Sequence, residues 1–139
     1  MASPRIFLDS NVLIYTDDIS SPVKRAIAQD LAETHLREGS GVISIQVLQE
    51  YYSVSTGKLK VDPNVCREKI EILRALTVFQ PTTDDVLGAI DLYRLHHISF
   101  WDGLILRAAL QSGCRTLLSE DMRHGRRIDG MEIINPFLS

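Results

Sequence analysis

Short apolar runs alternate with longer stretches of helical periodicity along the whole chain. The apolar runs at residues 5–9, 41–44 and 116–119 have the length and composition of buried strands. Between them, apolar residues recur at the spacing of one helix face. Strands that alternate with helices at these lengths are typical of a parallel α/β sandwich. The pattern predicts strands at residues 5–9, 41–44, 77–79, 116–119 and 131–134.

Residues that begin or end helices mark the boundaries of the helical segments. Pro22 and Pro63 stand where proline occupies a first helical turn, and Gly39 and Gly113 stand where glycine ends a helix. The resulting faces identify candidate core residues. We expect Val65, Ile70, Leu73 and Leu76 to point inward from one helix, and Trp101, Leu104, Ile105, Ala108 and Ala109 to point inward from another.

The length and composition fit one compact domain. The 139 residues are 45% hydrophobic and 24% charged, which are ordinary values for a soluble globular protein of this size. No internal repeat, low-complexity tract or linker interrupts the pattern. We therefore expect a single domain over residues 1–139, an α/β/α sandwich around a mostly parallel sheet of about four to five strands.

Four acidic residues lie where chemistry is expected in such a fold. Asp9 and Asp121 end predicted strands, Asp102 lies in the first turn of a helix, and Glu50 lies within a helix that follows a strand. Ligands of parallel α/β sheets bind outside the carboxyl ends of the strands. Each residue also has an ordinary structural role, as a turn former, a helix cap, a partner of the helix dipole or a solvated side chain. The spacing alone leaves both interpretations open.

Convergence of these four carboxylates would require a cation. Two carboxylates ~4 Å apart repel by roughly 4 kcal/mol at an effective dielectric constant of ~20. Oxygen ligands without nearby His or Cys partners favour Mg²⁺ or Mn²⁺ over Zn²⁺. Such an ion activates water and stabilises a leaving oxygen. The hypothesis is therefore phosphodiester hydrolysis.

The charge balance limits how nucleic acid could be held. The net charge is −3, whereas proteins that bind nucleic acid through bulk charge are usually basic. The densest basic stretch follows Asp121 and contains Arg123, Arg126 and Arg127. These residues either contact RNA phosphates beside the acidic residues or form a solvated loop.

Compartment and redox chemistry are inferred from the cysteines and the first residues. Cys66 and Cys114 belong to no CxxC or Cys/His cluster, so we expect them to be small buried residues in a reducing compartment. The sequence shows no signal-peptide core and no apolar run long enough to span a membrane. We expect a cytoplasmic location with no membrane partner.

Four segments resemble the PIN-domain family, and specifically the VapC-type toxins of toxin–antitoxin pairs. The first resembles the family's strand followed by Asp, Ser or Thr, and Asn. The second resembles its serine-led helix with a glutamate, and the third and fourth resemble its helix start and its final strand end. They occur in the family's order and spacing over essentially the whole chain. The segments are IFLDSNVLIY (6–15), SIQVLQE (44–50), SFWDGLI (99–105) and LLSEDM (117–122).

The resemblance implies a role for each matching residue. Asp9, Glu50, Asp102 and Asp121 would bind Mg²⁺ or Mn²⁺ and activate water. Behind them, Asn11 and Ser119 would orient the carboxylates, and Ser44 would hold the start of the glutamate helix. Two roles stay open for Glu120, an auxiliary ligand or an exposed neighbour. Gly103 stands where the family usually has alanine, a change expected only to loosen the helix slightly.

The resemblance also implies an activity and partners. It implies a metal-dependent endoribonuclease toxin that cleaves structured RNA, such as tRNA or rRNA. It further implies a homodimer and a small antitoxin whose C-terminal segment blocks the acidic cleft, with an Arg or Lys pairing with the carboxylates.

Other functions compete with this interpretation. A solitary PIN nuclease in RNA processing would have the same site. A receiver-type regulatory domain needs a late lysine, and no Lys occurs after Lys69. A catalytically silent binding module would not need intact acidic positions. No GxGxxG or GxxxxGK[ST] motif and no suitable nucleophile–base pair supports nucleotide binding or Ser-His-Asp chemistry.

Overall fold

The computed structural model describes residues 4–138, in which strands and helices alternate as the pattern predicts. The six strands are β1 (Ile6–Leu8), β2 (Gly41–Ser44), β3 (Thr77–Phe79), β4 (Thr116–Leu118), β5 (Arg127–Ile128) and β6 (Met131–Ile134). The six helices are α1 (Ser10–Tyr15), α2 (Pro22–Glu38), α3 (Ile45–Gly57), α4 (Pro63–Leu73), α5 (Thr83–His96) and α6 (Phe100–Gln111).

The six strands form one sheet in the order β3-β2-β1-β4-β6-β5. All pairings are parallel except that of β5 with β6, which is antiparallel. Helices flank the sheet, and α2 and α6 both contact β2. The predicted mostly parallel α/β architecture is therefore confirmed, with one strand more than expected.

The additional strand, β5, comes from a hairpin that the apolar pattern does not reveal. Asp129 and Gly130 connect β5 to β6, and both have positive φ angles, of 49° and 84°. Ile128 pairs directly with Met131 across this two-residue turn. An Asp-Gly pair with two positive φ angles is typical of a type I′ turn, whose twist suits a hairpin. The Asp-Gly dipeptide was therefore a sufficient signal for β5.

The core confirms most of the predicted inward positions and contradicts two. Leu73 and Ile105 are buried as expected. Val65 is 50% exposed, and Cys66 beside it is fully buried instead. On α4 the predicted stripe is displaced by one position at its start. On α6 the predicted face is buried at Ile105, Ala108 and Ala109, and only Trp101, in the first turn, is 63% exposed.

The carboxyl edge of β1 and β4 is the part of the fold that positions the site. Leu8 pairs with Leu118, so Asp9 and Ser119 leave the sheet side by side. The backbone N–H of Asp9 donates to the carbonyl of Leu118 at 3.0 Å. Between residues 4 and 138, no helix is long and apolar enough to cross a membrane.

Candidate functional site

Asp9 is a buried carboxylate at the carboxyl end of the central strand β1. It is only 4% exposed, and it is the N-cap residue of α1. Its Oδ1 accepts a 2.7 Å hydrogen bond from the backbone N–H of Ser10, and its Oδ2 accepts one of 2.8 Å from the Ser119 hydroxyl. Both oxygens are therefore held in fixed directions.

Burial raises the pKa of Asp9 from 3.8 to about 7. The hydrogen bonds from Ser119 and Ser10 favour the charged form and oppose this rise, while the negative charges of Glu50 and Asp121 add to it. The charged carboxylate is thus costly in this position. A cation at the sheet edge would lower that cost.

Asn11 connects Asp9 to Asp121. Its amide nitrogen donates to Oδ2 of Asp121 at 3.2 Å and approaches Oδ2 of Asp9 at 3.4 Å. Its amide oxygen accepts from the backbone N–H of Glu120 at 3.1 Å. Ser119 is a second connection, because its Oγ also accepts from the backbone N–H of Asp121 at 3.2 Å. The two strand-end carboxylates are consequently brought together, as predicted.

Asp102 lies in the first turn of α6, beside the same edge. It is partly buried, and burial raises the pKa of its carboxyl, with a further contribution from the charge of Asp121. Ser99 caps the helix, because its Oγ accepts a 3.0 Å hydrogen bond from the Asp102 backbone N–H. The role of Ser99 was missed, although a Ser three residues before an Asp is a recognisable capping signature.

Glu50 lies on the second turn of α3, which begins directly after β2. As predicted, Ser44 holds the start of this helix, since its Oγ accepts from the Val47 backbone N–H at 3.3 Å. The Glu50 side chain is partly buried, and Gln46 approaches its Oε2 at 3.5 Å. Its charge acts on Asp9 from the α3 side of the sheet edge.

Glu120 points away from this group of acids. Its carboxylate accepts a 2.6 Å hydrogen bond from Nζ of Lys24 and one of 2.5 Å from the Tyr15 hydroxyl. Burial alone would raise the pKa of Glu120, but the two hydrogen bonds outweigh it and lower the pKa. Lys24 and Tyr15 therefore bind Glu120 on the α2 side, and Asp121 alone faces Asp9 and Asp102.

The side chains fit a hard divalent cation, although they do not form a preassembled cage. Within residues 4–138, no three His, Cys, Asp or Glu side chains lie close enough together to hold a metal ion. The carboxylates interact in pairs, Asp9 with Asp121 and with Glu50, and Asp121 with Asp102. Mg²⁺ needs only one or two carboxylates, because it retains several waters. An all-oxygen donor set with one buried carboxylate suits that ion.

The basic segment after Asp121 is largely bound to the protein itself. Arg126 donates to the backbone carbonyl of His96 at 3.1 Å. Arg127 forms an ion pair with Glu132 at 3.2 Å. Arg123 and Arg126 both line a cavity that also includes Asp102 and Asp121. Of the three arginines predicted to contact RNA, Arg127 is the one that does not line this cavity; it lies on β5.

The comparisons with known proteins give the family. The model of the PIN domain matches residues 6–130, so this chain belongs to the PIN domain family. A search of curated proteins gave no significant match.

Two solved structures share the fold. VapC20 of Mycobacterium tuberculosis, described as a sarcin-ricin loop cleaving toxin, is 17% identical over 84% of this chain and 89% of its own, with a TM-score of 0.68. A toxin–antitoxin complex from Klebsiella pneumoniae includes a chain that is 17% identical, over 95% of this chain and 98% of that one, with a TM-score of 0.69. At this identity the likeness concerns the fold.

Proposed function

We propose that this chain is a Mg²⁺- or Mn²⁺-dependent endoribonuclease and the toxin of a toxin–antitoxin pair. The observation that supports it most is the coupling of buried Asp9 to Asp121 through Asn11 and Ser119, at the carboxyl edge of a PIN-domain sheet. Asp102 and Glu50 lie beside the same edge. Asp9 also caps α1, but a helix cap does not require a carboxylate whose burial raises its pKa to about 7, and strongly raised pKa values of this kind cluster at functional sites.

Each acidic residue has a role in this proposal. Asp9, Asp102, Asp121 and Glu50 would hold the ion, which supplies an activated water and stabilises the leaving oxygen when it is bound. Ser119 and Ser10 keep both oxygens of Asp9 aimed at the edge. Such orienting partners commonly change metal affinity or activity 10- to 100-fold when they are removed.

Structured RNA, such as tRNA or rRNA, is the proposed substrate. The structural neighbour from Mycobacterium tuberculosis is described as cleaving the sarcin-ricin loop. In this chain the argument from local geometry is the cavity in which Arg123 and Arg126 lie beside Asp102 and Asp121. Guanidinium groups there would contact phosphates next to the bond that is cleaved.

The proposed partners are an antitoxin and a second copy of the chain. The neighbour from Klebsiella pneumoniae was solved as a toxin–antitoxin complex. An antitoxin that places an Arg or Lys among these carboxylates would substitute electrostatically for the metal ion. Trp101, which is 63% exposed beside Asp102, is a candidate contact for either partner.

Induced expression in a bacterial host tests the toxin role. We expect wild-type protein to arrest growth and Asp9→Asn protein, made at the same level, to leave growth unaffected. Sequencing of RNA ends after brief induction, with Asp102→Asn as the matched control, would then locate the cleavage. Equal toxicity of wild type and Asp9→Asn would contradict the toxin role. Purified protein that cleaves RNA but does not arrest growth would instead indicate a solitary PIN nuclease.

A further inference from the structure

Asp121 lies between two cavities of similar size at the sheet edge. Each has a volume of about 270 Å³, and Asp121 is the residue that lines both. One opens between the start of α6 and the segment after β4, and we call it the cationic cavity. The other opens between α1 and the end of α3, and we call it the apolar cavity. A chain-like ligand that crosses Asp121 would enter both.

The cationic cavity has the chemistry of a phosphate site. Its walls include Arg123 and Arg126 together with Asp102 and Asp121. Arg126 is fixed by its bond to the His96 carbonyl, and it retains further N–H groups, since a guanidinium has five donors. Guanidinium groups match the geometry of phosphate oxygens and stay charged at all relevant pH values.

The apolar cavity is built differently. Three partly buried aliphatic residues line one part of it, Ile14, Val54 and Leu59. The rest of its wall is polar and is formed by Asn11, Tyr15, Asp18, Lys58, Glu120 and Asp121. Proteins that hold an extruded base place its faces between aromatic or apolar side chains and form hydrogen bonds with its edge. These walls offer both kinds of contact in one place.

We propose that a single RNA strand crosses Asp121, with a phosphate in the cationic cavity and the neighbouring nucleobase in the apolar cavity. This inference rests on the proposed ribonuclease function and specifies how its site holds the substrate. The strand must be unpaired at the cleaved bond, because a base within a duplex cannot enter the apolar cavity. The arrangement also explains how a chain of net charge −3 binds RNA, since phosphate contact is local to one cavity.

Two oligomers allow the phosphate contact and the nucleobase contact to be measured separately. The first is a short single-stranded RNA of mixed sequence, and the second is a ribose-phosphate oligomer of equal length without bases. Both carry a fluorophore, and binding is measured by anisotropy in Mg²⁺ on an Asp9→Asn background, which is expected to prevent cleavage and changes a residue that lines neither cavity. We expect the RNA to bind more tightly than the oligomer without bases, and more tightly than an RNA duplex.

One substitution in each cavity then tests the contact that is proposed there. Leu59→Ala should weaken RNA binding about tenfold and leave binding of the oligomer without bases unchanged, since each methylene group buried against a ligand contributes roughly a factor of four in affinity. Arg123→Ala should weaken binding of both oligomers and reduce the salt dependence by about 0.7 in the log–log slope, the value for one phosphate of a single strand. Leu87→Ala and Arg67→Ala, exposed residues outside both cavities, are the matched controls.

The outcomes test the proposed path of the RNA strand separately from the proposed ribonuclease activity. If Leu59→Ala binds RNA like Leu87→Ala, or weakens both oligomers equally, the apolar cavity holds no base. If Arg123→Ala retains the full salt slope, the cationic cavity holds no phosphate. Either result overturns the strand path, while metal-dependent cleavage by wild-type protein would leave the proposed activity standing. Absence of both RNA binding and RNA cleavage would overturn the two together.

Discussion

The hydroxyl of Ser119 donates a 2.8 Å hydrogen bond to Oδ2 of Asp9, although the two residues are 110 positions apart in the sequence. The contact exists because β1 and β4 are parallel neighbours that end at the same level. Ser119 is completely buried, and its oxygen also accepts from the backbone N–H of Asp121. A single hydroxyl thereby orients two carboxylates.

Ser119→Ala should reduce apparent Mn²⁺ affinity 10- to 100-fold, because both carboxylates lose their shared partner. Trp101 is the only tryptophan and adjoins Asp102, so quenching of its fluorescence by Mn²⁺ reports binding directly. Ser53→Ala, which removes an exposed hydroxyl, is the control. An unchanged Mn²⁺ titration in Ser119→Ala would refute the orienting role.

Asp9→Asn should stabilise the metal-free protein at alkaline pH. The carboxyl titrates near pH 7 when folded and near its ordinary 3.8 when unfolded, so the folded state binds the proton more tightly. The contribution of Asp9 to the free energy of unfolding is therefore highest below pH 4 and is lost as pH rises toward 7. The full loss is on the order of 4 kcal/mol.

Urea denaturation at several pH values in EDTA measures this effect. Wild-type stability should fall between about pH 4 and 7 relative to Asp9→Asn, and Mg²⁺ at pH 8 should restore wild type but not the variant. If the two proteins show parallel pH profiles, ionised Asp9 is not destabilising.

Glu120→Gln should retain RNA cleavage, whereas Asp121→Asn should lose it. Glu120 is bound by Lys24 and Tyr15 and faces away from Asp9, so its charge is not needed to hold the ion. Glu120→Gln should lower the stability only slightly, because ion pairs with exposed partners contribute little. Initial cleavage rates of the two variants at saturating Mn²⁺ show which of the two carboxylates cleavage requires. Loss of cleavage in Glu120→Gln would make Glu120 a ligand.

Gly103→Ala should destabilise the fold although alanine is the better helix former. A Cβ at Gly103 would lie 2.7 Å from the backbone oxygen of Ala89 in α5, so α5 and α6 would have to separate. We expect a loss of about 1–3 kcal/mol, larger than the ~1 kcal/mol gained in helix propensity. Gly57→Ala, where nothing lies near the added carbon, is the control in thermal unfolding. A stabilised Gly103→Ala would show that the helices can adjust.

The sequence was informative wherever local pattern decides structure. Asp9 and Asp121 were expected at the ends of strands, and Ser44 was expected at the start of the helix with Glu50. In the structure Asp9 directly follows β1, Asp121 lies three residues after β4, and Ser44 caps α3. Gly103 was expected to matter only for helix propensity. The close packing against Ala89 that it permits depends on how two helices meet, which no local pattern contains.

Long-range polar contacts could not be predicted from the sequence either, because they also depend on how distant segments pack together. Lys24 and Tyr15, which bind Glu120, lie about a hundred positions before it in the sequence. The residues next to Glu120 give no indication of these partners. Arg126 and Arg127 were expected either to contact RNA phosphates or to lie in a solvated loop, but a backbone carbonyl and a carboxylate of the protein contact them. Partners of long charged side chains are set by tertiary packing rather than by spacing.

Cleavage of RNA with and without a divalent ion is the most direct test of the acidic site. Total bacterial RNA is incubated with wild type, Asp9→Asn, Asp102→Asn or Glu120→Gln in Mn²⁺ or in EDTA, and new RNA ends are sequenced. We predict discrete ends with wild type and Glu120→Gln in Mn²⁺, and none with the two Asp variants or in EDTA, although circular dichroism shows all four proteins folded. Wild-type cleavage that persists in EDTA, or undiminished cleavage by Asp9→Asn, would contradict a metal-dependent nuclease at this site.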